Sequence, residues 1–247
     1  MKLKKIIAVL TAIACLVCLA SCEKDSASSV SVGENGVGEL ITPDKDSEEY
    51  DLGTYRIDRN GIKLYYDDAD IPAELMLALE NYFLSFQNGD LDAYKNSLFP
   101  DYAERYDKYL RENYSDSSEN NGEYTLQNSF EAQRGNLESR MLSEIYADSE
   151  SEKNKGYSGK FEITRIRGER PSLTEGETEE SRVKDFFSYL DDIFDMDYYN
   201  FVAENSDGFE RLTFFIFAKG EDGEEHRIIS ETEIVFAKKD GKYYTFG

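Results

Sequence analysis

The sequence has little of the chemistry that most enzymes use. It contains no tryptophan, one histidine and three cysteines, and the cysteines Cys15, Cys18 and Cys22 all lie within the first 22 residues. Beyond Cys22, neither a disulfide nor a cysteine nucleophile is therefore available. A Ser–His–acid triad would need His226, which follows a turn at 222–225, and we expect this histidine to be exposed at a strand end. No catalytic residue is expected.

Positive charge is also scarce. The chain has 28 lysines and arginines against 51 aspartates and glutamates, which gives a formal net charge of −23. Binding to phosphates needs clustered basic residues, so this balance argues against nucleic acid as a partner. It also argues against a domain that lies flat on anionic lipid. Two interpretations remain: the charge keeps the protein soluble and away from an acidic cell surface, or it attracts a cation or a basic peptide.

Carboxylates are abundant but form no recognisable metal motif. The runs 67–70 and 191–197 could offer oxygen ligands to calcium, yet neither matches the calcium-loop pattern with its glycine and distant glutamate. The Cys15-x-x-Cys18 spacing is like half of a zinc site, but it lies inside an apolar segment near the start of the chain. We expect neither a metal nor another cofactor.

The first residues have the organisation of a secretory signal. Lysines at positions 2, 4 and 5 precede the apolar segment Ile6–Leu19, which is interrupted only by Thr11. This segment is shorter than the roughly 20 residues that a transmembrane helix needs. Small residues follow it, in the sequence Leu19-Ala20-Ser21-Cys22.

This four-residue sequence resembles a lipobox, the site at which bacterial signal peptidase II cuts before a lipid-modified cysteine. The resemblance implies that residues 1–21 form a lipoprotein signal peptide, cleaved after Ser21, and that Cys22 receives the acyl chains, typically palmitate. It also implies that the protein is anchored in the cell membrane and faces outside the cytoplasm. The alternative is an ordinary cleaved signal with a chance cysteine.

Three regions follow the signal. Residues 22–49 have no aromatic residue before Tyr50 and a strong excess of acids, and this composition predicts a disordered acidic tether that folding does not need. Residues 50–70 contain the pair Asn60-Gly61 between two short apolar runs, which predicts a small β-hairpin extension. Residues 71–247 carry the remaining helix and strand patterns and predict one folded domain.

The domain begins with helical patterns and ends with strands. Apolar residues recur at helical spacing after Pro72, after Asp90, after Pro100, after Thr125 and within 178–194. Strand patterns occupy 160–167, 212–218, 227–238, where the length suggests a bulge, and 242–246. This order predicts an α+β fold in which helices pack on one face of a curved antiparallel sheet.

Three stretches resemble NTF2-like, or cystatin-like, domains, in which helices fill a cone-shaped sheet. They are the aromatic first helix with Tyr82-Phe83, the turn 88–92, and the closing sequence 239–244, which is similar to the terminal hairpin of extracytoplasmic NTF2-like lipoproteins of Gram-positive bacteria. The resemblance implies one of two functions. The domain is a non-catalytic binding module for a small ligand, a peptide or an envelope partner, or it is an enzyme with an acid–base pocket of isomerase, dehydratase or hydrolase type.

The abundant aromatic residues suggest one candidate site. The chain has 18 tyrosines and 15 phenylalanines. Most aromatic residues at helical spacing pack in a core, but Tyr102, Tyr106 and Tyr109 also have polar hydroxyls that need partners. These three tyrosines are therefore the candidate recognition surface, with simple packing as the alternative. Buried carboxylate pairs or a Tyr–Asp pair inside one cavity would instead favour the enzyme.

Overall fold

Local sequence signals explain where the helices begin and end. In the computed structural model, the N–H of Ala93 donates to Asp90 Oδ1 at 2.9 Å, and Thr178 and Ser181 form a reciprocal capping box. Gly89 ends the first helix in the left-handed conformation, with φ of 64°. The described residues form six α-helices: α1 Ala73–Asn88, α2 Leu91–Ser97, α3 Tyr102–Asn113, α4 Leu126–Asp148, α5 Glu179–Phe194 and α6 Tyr198–Glu204.

The structure describes residues 32–33, 36–47, 49–114, 123–148 and 155–247. The expected signal peptide, the cleavage site after Ser21 and the lipidation site Cys22 lie outside the described residues. The described elements belong to one compact unit, Val32–Gly247. Within these ranges, no helix is long and apolar enough to cross a membrane.

Six strands form one sheet in the order in which they occur along the chain. They are β1 Arg56–Ile57, β2 Lys63–Tyr65, β3 Phe161–Glu169, β4 Gly208–Gly220, β5 Glu225–Lys239 and β6 Lys242–Tyr244. Neighbours pair antiparallel except β2 and β3, which run parallel. The predicted α+β class, with helices packed on a curved, mainly antiparallel sheet, is confirmed.

The bulge predicted in β5 is present, and it is double. Phe214 pairs with Thr232 and Ile216 with Ile229, so β5 has one residue more than β4 over this interval. Phe217 then pairs with Arg227, which adds a second extra residue to β5. Bulges of this kind bend the bulged strand and increase its twist, which accounts for part of the curvature of the sheet.

Helices cover both faces of β4, and the expectation that they pack on one face is wrong. The Phe83 ring of α1 lies 5.2 Å from that of Phe214, whereas the Phe187 ring of α5 lies 5.3 Å from that of Phe209. Positions 209 and 214 have opposite parity, and side chains alternate between the faces of a strand. Helix α1 therefore lies on one face, and α5 lies on the other.

The folded part begins before Tyr50. Val37 bridges to Asp58 and Ile41 to Tyr55, both antiparallel, and Val37 is only 2% exposed. Residues 37–41 therefore cover the free edge of β1, and the predicted tether boundary at residue 49 is wrong for this segment. This segment has few apolar side chains to bury, chiefly Val37 and Ile41. Its backbone instead forms hydrogen bonds with the otherwise open edge of the sheet.

The opposite edge of the sheet is also covered. The N–H of Phe99 donates to the Thr245 carbonyl at 2.9 Å, and the N–H of Thr245 donates to the Ser97 carbonyl at 2.9 Å. Phe246 is 2% exposed, and its ring lies 4.8 Å from that of Phe187. The predicted closing strand is thus docked and buried rather than frayed.

Candidate functional site

The space enclosed by the curved sheet is packed with apolar side chains. Leu64, Ile166 and Ile216 of three adjacent strands are completely buried, as is Leu79 of α1. Farther along, the rings of Phe86, Tyr94 and Phe130 form a mutually contacting cluster, with centroids 5.1 to 5.3 Å apart. Interiors packed in this way leave no room for a substrate. The region that an enzyme of this shape would use as its pocket is therefore core.

The three candidate tyrosines form a row along α3 that runs from the core to the surface. Tyr102 is 3% exposed, whereas Tyr106 and Tyr109 are half-buried. The rings of Tyr102 and Tyr106 stack at 5.5 Å, and those of Tyr106 and Tyr109 stack at 6.2 Å. Tyr102 also packs edge-on against Phe246 at 5.9 Å. Tyr102 is thus mainly a core residue, whereas part of the rings of Tyr106 and Tyr109 remains accessible to solvent.

A small open cavity lies beside this row, and we call it the aromatic cup. Its volume is about 240 Å³. Four segments that are distant in sequence form it: α3, α4, α5 and the last residues of the chain. Its lining consists of Tyr102, Tyr106, Gln133, Phe186, Tyr189, Leu190, Phe246 and Gly247. Tyr109 does not line the cup, so the structure brings together two of the three candidate tyrosines.

Tyr189 is the residue of this site that the sequence does not point to. It is 59% exposed, the highest value among the exposed large hydrophobic side chains of the described residues. The buried stripe of α5 runs through Val183, Phe187 and Leu190, and position 189 falls beside it. An unburied aromatic ring next to an apolar stripe is the one sequence signal that could have identified it.

The cup contains no fixed positive charge. Its only polar side chains are Gln133 and the tyrosines, and burial raises the pKa of both Tyr102 and Tyr106, so these hydroxyls stay neutral. On α5, Asp185 lies one turn before Tyr189 and Asp192 lies one turn after it, and both carboxylates are exposed. The lining of the cup is therefore neutral and aromatic, and exposed carboxylates lie one helical turn to either side of Tyr189. Asp185 also lies 3.9 Å from Arg182 Nη1.

His226 is buried, so the expectation of an exposed histidine is wrong. It is 7% exposed, and its Nε2 lies 2.7 Å from Asp222 Oδ2. Burial alone would raise the pKa of Asp222, but hydrogen bonds from His226 and from the Glu224 N–H hold it below its ordinary value. The turn between β4 and β5 folds back over the ring, and the pair braces this turn.

Two carboxyl groups, Asp58 and Glu80, are buried together where the β1–β2 turn meets α1. Each is 1% exposed. Asp58 accepts hydrogen bonds from the N–H groups of Ile62 at 2.7 Å and Asn60 at 2.9 Å, and Asn60 Nδ2 donates to Glu80 Oε1 at 2.7 Å. Burial and the neighbouring Asp58 raise the pKa of Glu80 to about 8. The pair fastens the turn to the helix and is sealed from solvent.

A Tyr–Asp pair is also present, at a different place. The Tyr198 hydroxyl donates to Asp101 Oδ1 at 3.1 Å, and Arg105 forms an ion pair with the same carboxylate. Burial and Asp101 raise the pKa of Tyr198, and the side chain is completely buried. Both arrangements that would favour an enzyme therefore exist, but they lie apart, and neither belongs to the aromatic cup.

The two acidic runs are occupied by turns and helix caps. Asp68 pairs with Arg56 at 2.6 Å. Asp191 Oδ1 accepts from the Tyr198 N–H at 2.7 Å, and Asp197 caps α6 through the Asn200 N–H. Across the described ranges, no group of three or more histidine, cysteine, aspartate or glutamate side chains is arranged to hold a metal ion.

No protein-family model, curated protein or solved structure matches this chain. The resemblance to NTF2-like domains and to lipoprotein signals therefore rests on the motifs named above.

Proposed function

We propose that this chain is a bacterial lipoprotein, anchored through Cys22 in the cell membrane and facing outside the cytoplasm. Its α+β domain is a non-catalytic binding module, and the aromatic cup is its binding site. The basic start, the apolar segment and the Leu19–Cys22 sequence support the anchor. Lipoprotein anchors combine several acyl chains, and stable attachment to a membrane takes more than a single chain.

The observation that carries the binding role is the contrast between the inside of the sheet and the aromatic cup. The interior is filled, with Leu64, Ile166 and Ile216 completely buried. The cup instead leaves Tyr189 59% exposed beside a cavity of about 240 Å³. Soluble proteins bury large aromatic rings where they can, and open aromatic surfaces occur at recognition sites.

The alternative, an acid–base enzyme, needs a titratable group that a substrate can touch. Glu80 has the raised pKa that such a group often shows. However, Glu80 and Asp58 are each 1% exposed, and Asp58 is engaged by backbone N–H groups. A general base must come within hydrogen-bond reach of its substrate, so we assign this pair to the fold and not to catalysis.

The anchor is tested by a matched pair of cysteine variants in the bacterial cell. Cys22→Ala should abolish labelling by radioactive palmitate and move the protein out of the membrane fraction. Cys18→Ala, in the same signal region, should be labelled and retained like the wild type. Protease added to intact cells whose surface it can reach, such as spheroplasts, should degrade the wild-type domain. A Cys22→Ala protein that is still acylated and membrane-bound would overturn the proposal.

A further inference from the structure

We propose that the aromatic cup binds a small, soluble organic cation of the quaternary ammonium type. This inference rests on the proposed binding function and names the class of ligand for the same site. Its basis is the combination of the aromatic lining, the absence of positive charge in that lining, and the exposed carboxylates on either side of Tyr189 along α5.

The rings of the cup surround one space from several sides. Tyr102 and Tyr106 stack at 5.5 Å on α3. The Phe246 ring lies 5.9 Å from that of Tyr102 and 6.0 Å from that of Phe186. Tyr189 stands at the opening. Ring faces carry partial negative charge and attract a cation within about 6 Å of the centroid. Several rings around one cavity can therefore contact the methyl groups of a single ammonium ion at once.

The size of the cup limits the ligand. Cavities for drug-sized molecules measure about 300–1,000 Å³, whereas the aromatic cup measures about 240 Å³. A trimethylammonium group with a short substituent fits a space of this size. The cup is too short for an extended peptide, although a single side chain could enter it.

Charge selects a cation over an anion or a neutral molecule. The lining has no lysine or arginine, and burial raises the pKa of Tyr102 and Tyr106, which keeps these two hydroxyls neutral. Asp185 and Asp192 flank Tyr189 on the exposed face of α5, and the whole chain has a net charge of −23. A field of this sign raises the local concentration of cations and lowers that of anions. A quaternary ammonium ion also sheds water easily, because it donates no hydrogen bonds.

The test is calorimetric titration of the full-length lipoprotein in a neutral maltoside detergent. The ligands are choline and its uncharged isostere 3,3-dimethyl-1-butanol, which have the same shape. We expect choline to bind and the isostere to bind at least about tenfold more weakly, since a desolvated cation–π contact is lost. The chain has no tryptophan, so tyrosine fluorescence provides a second readout of the same titration.

Two exposed tyrosines supply the matched variants. Tyr189→Ala removes a ring of the cup and should weaken choline binding about tenfold, whereas Tyr189→Phe keeps the ring and should bind normally. Tyr114 is 52% exposed and does not line the cup, so Tyr114→Ala should bind like the wild type. Because both positions are exposed, neither variant should unfold the domain.

Three results would overturn the inference. They are equal affinity for choline and the isostere, no choline binding at millimolar concentration, and choline binding that Tyr189→Ala leaves unchanged. Equal affinities that both fall in Tyr189→Ala would keep the cup as a binding site while removing its preference for cations. The anchor part of the proposed function is tested separately by the cysteine variants.

Discussion

Glu80 should make this protein less stable as the pH rises through the neutral range, and Glu80→Gln should remove that effect. The Glu80 side chain is 1% exposed, and Asn60 Nδ2 donates to its Oε1 at 2.7 Å. It faces Asp58 and Asn60 of the β1–β2 turn, with Arg59 nearby. Asn60 and Arg59 lower its pKa, but burial and Asp58 outweigh them and raise it from 4.5 to about 8.

The size and sign of the effect follow from these two pKa values. Between pH 4.5 and about 8 the folded state keeps a proton on Glu80 that the unfolded state has lost. The free energy of unfolding therefore falls by about 1.4 kcal/mol for each pH unit in this window, and by about 5 kcal/mol across it. This value is an upper bound, because local opening of the turn would let water reach the carboxylate. Above pH 8 both states are deprotonated, and the contribution of Glu80 stays constant.

Glutamine imitates the protonated form of glutamate. In Glu80→Gln, the side-chain oxygen can still accept from Asn60, and the amide can donate towards Asp58. We expect the variant to become more stable than the wild type as the pH rises from 5 to 8, by a few kcal/mol in total. The measurement is urea unfolding of the soluble protein beginning at Glu23, at half-unit steps of pH.

A matched control separates Glu80 from the other carboxylates. Glu74 lies on the same helix and is exposed, so Glu74→Gln should unfold in parallel with the wild type at every pH. The reasoning is refuted if the difference between Glu80→Gln and the wild type stays constant from pH 5 to 9. It is also refuted if Glu74→Gln shows the same trend.

Two further predictions concern the ends of the domain. Phe246 is 2% exposed and packs against Phe99 and Phe187, so Phe246→Ala should lower the free energy of unfolding by about 3–5 kcal/mol; a change below 1 kcal/mol in urea unfolding would contradict the docked strand. A chain that begins at Tyr50 loses the buried Val37 and both bridges to the residues that flank β1, and its free energy of unfolding should fall by about 2 kcal/mol. Calorimetry that shows the same melting temperature as the protein from Glu23 would mean that residues 36–47 do not contribute.

The helices were predictable because their signals are local. Asp90 and Thr178 each cap a helix by accepting a hydrogen bond from the N–H three residues later. Gly89 adopts the left-handed conformation, which most other residues avoid. The double bulge in β5 was indicated by the length of the apolar pattern alone. The caps depend on neighbours within a few positions, so the sequence contains this information directly. The bulge depends on pairing with β4, and the sequence shows only that the strand pattern is too long.

The pairings at the edges of the sheet were not predictable in this way. Strand β2 pairs in parallel with β3, with Leu64 opposite Ile166, across about a hundred residues of intervening chain. The segment 37–41 lies within the acidic stretch 22–49, whose overall composition favours disorder, and a strand edge stabilises it nevertheless. Hydrogen bonds to a preformed edge depend on the backbone and not on side-chain pattern. Composition therefore misplaced the start of the domain.

Only the part of the candidate site that depends on local spacing was predicted from the sequence. Helical spacing on α3 identifies Tyr102 and Tyr106, but the wall that faces them comes from α5 and from Phe246. Tyr189 lies outside the buried stripe of its helix, so the helical spacing of apolar residues does not identify it. His226 was misjudged because a position beside a turn suggests exposure, whereas Asp222, four residues earlier in that turn, hydrogen-bonds to its ring.

The distribution of charge links the fold to the proposed ligand. Several arginines are already matched by acids: Arg56 by Asp68, Arg165 by Glu225 and Arg170 by Glu210. Such pairs contribute little to stability at a surface, but they neutralise the charge of these arginines. The electrostatic field that a solute meets is then set by the unpaired carboxylates. Near the cup this field comes from exposed carboxylates of α5, whereas affinity must come from the rings, because screening at physiological salt weakens charges beyond about 8 Å. The acids thus attract a cation, and the aromatic cup determines which cation stays.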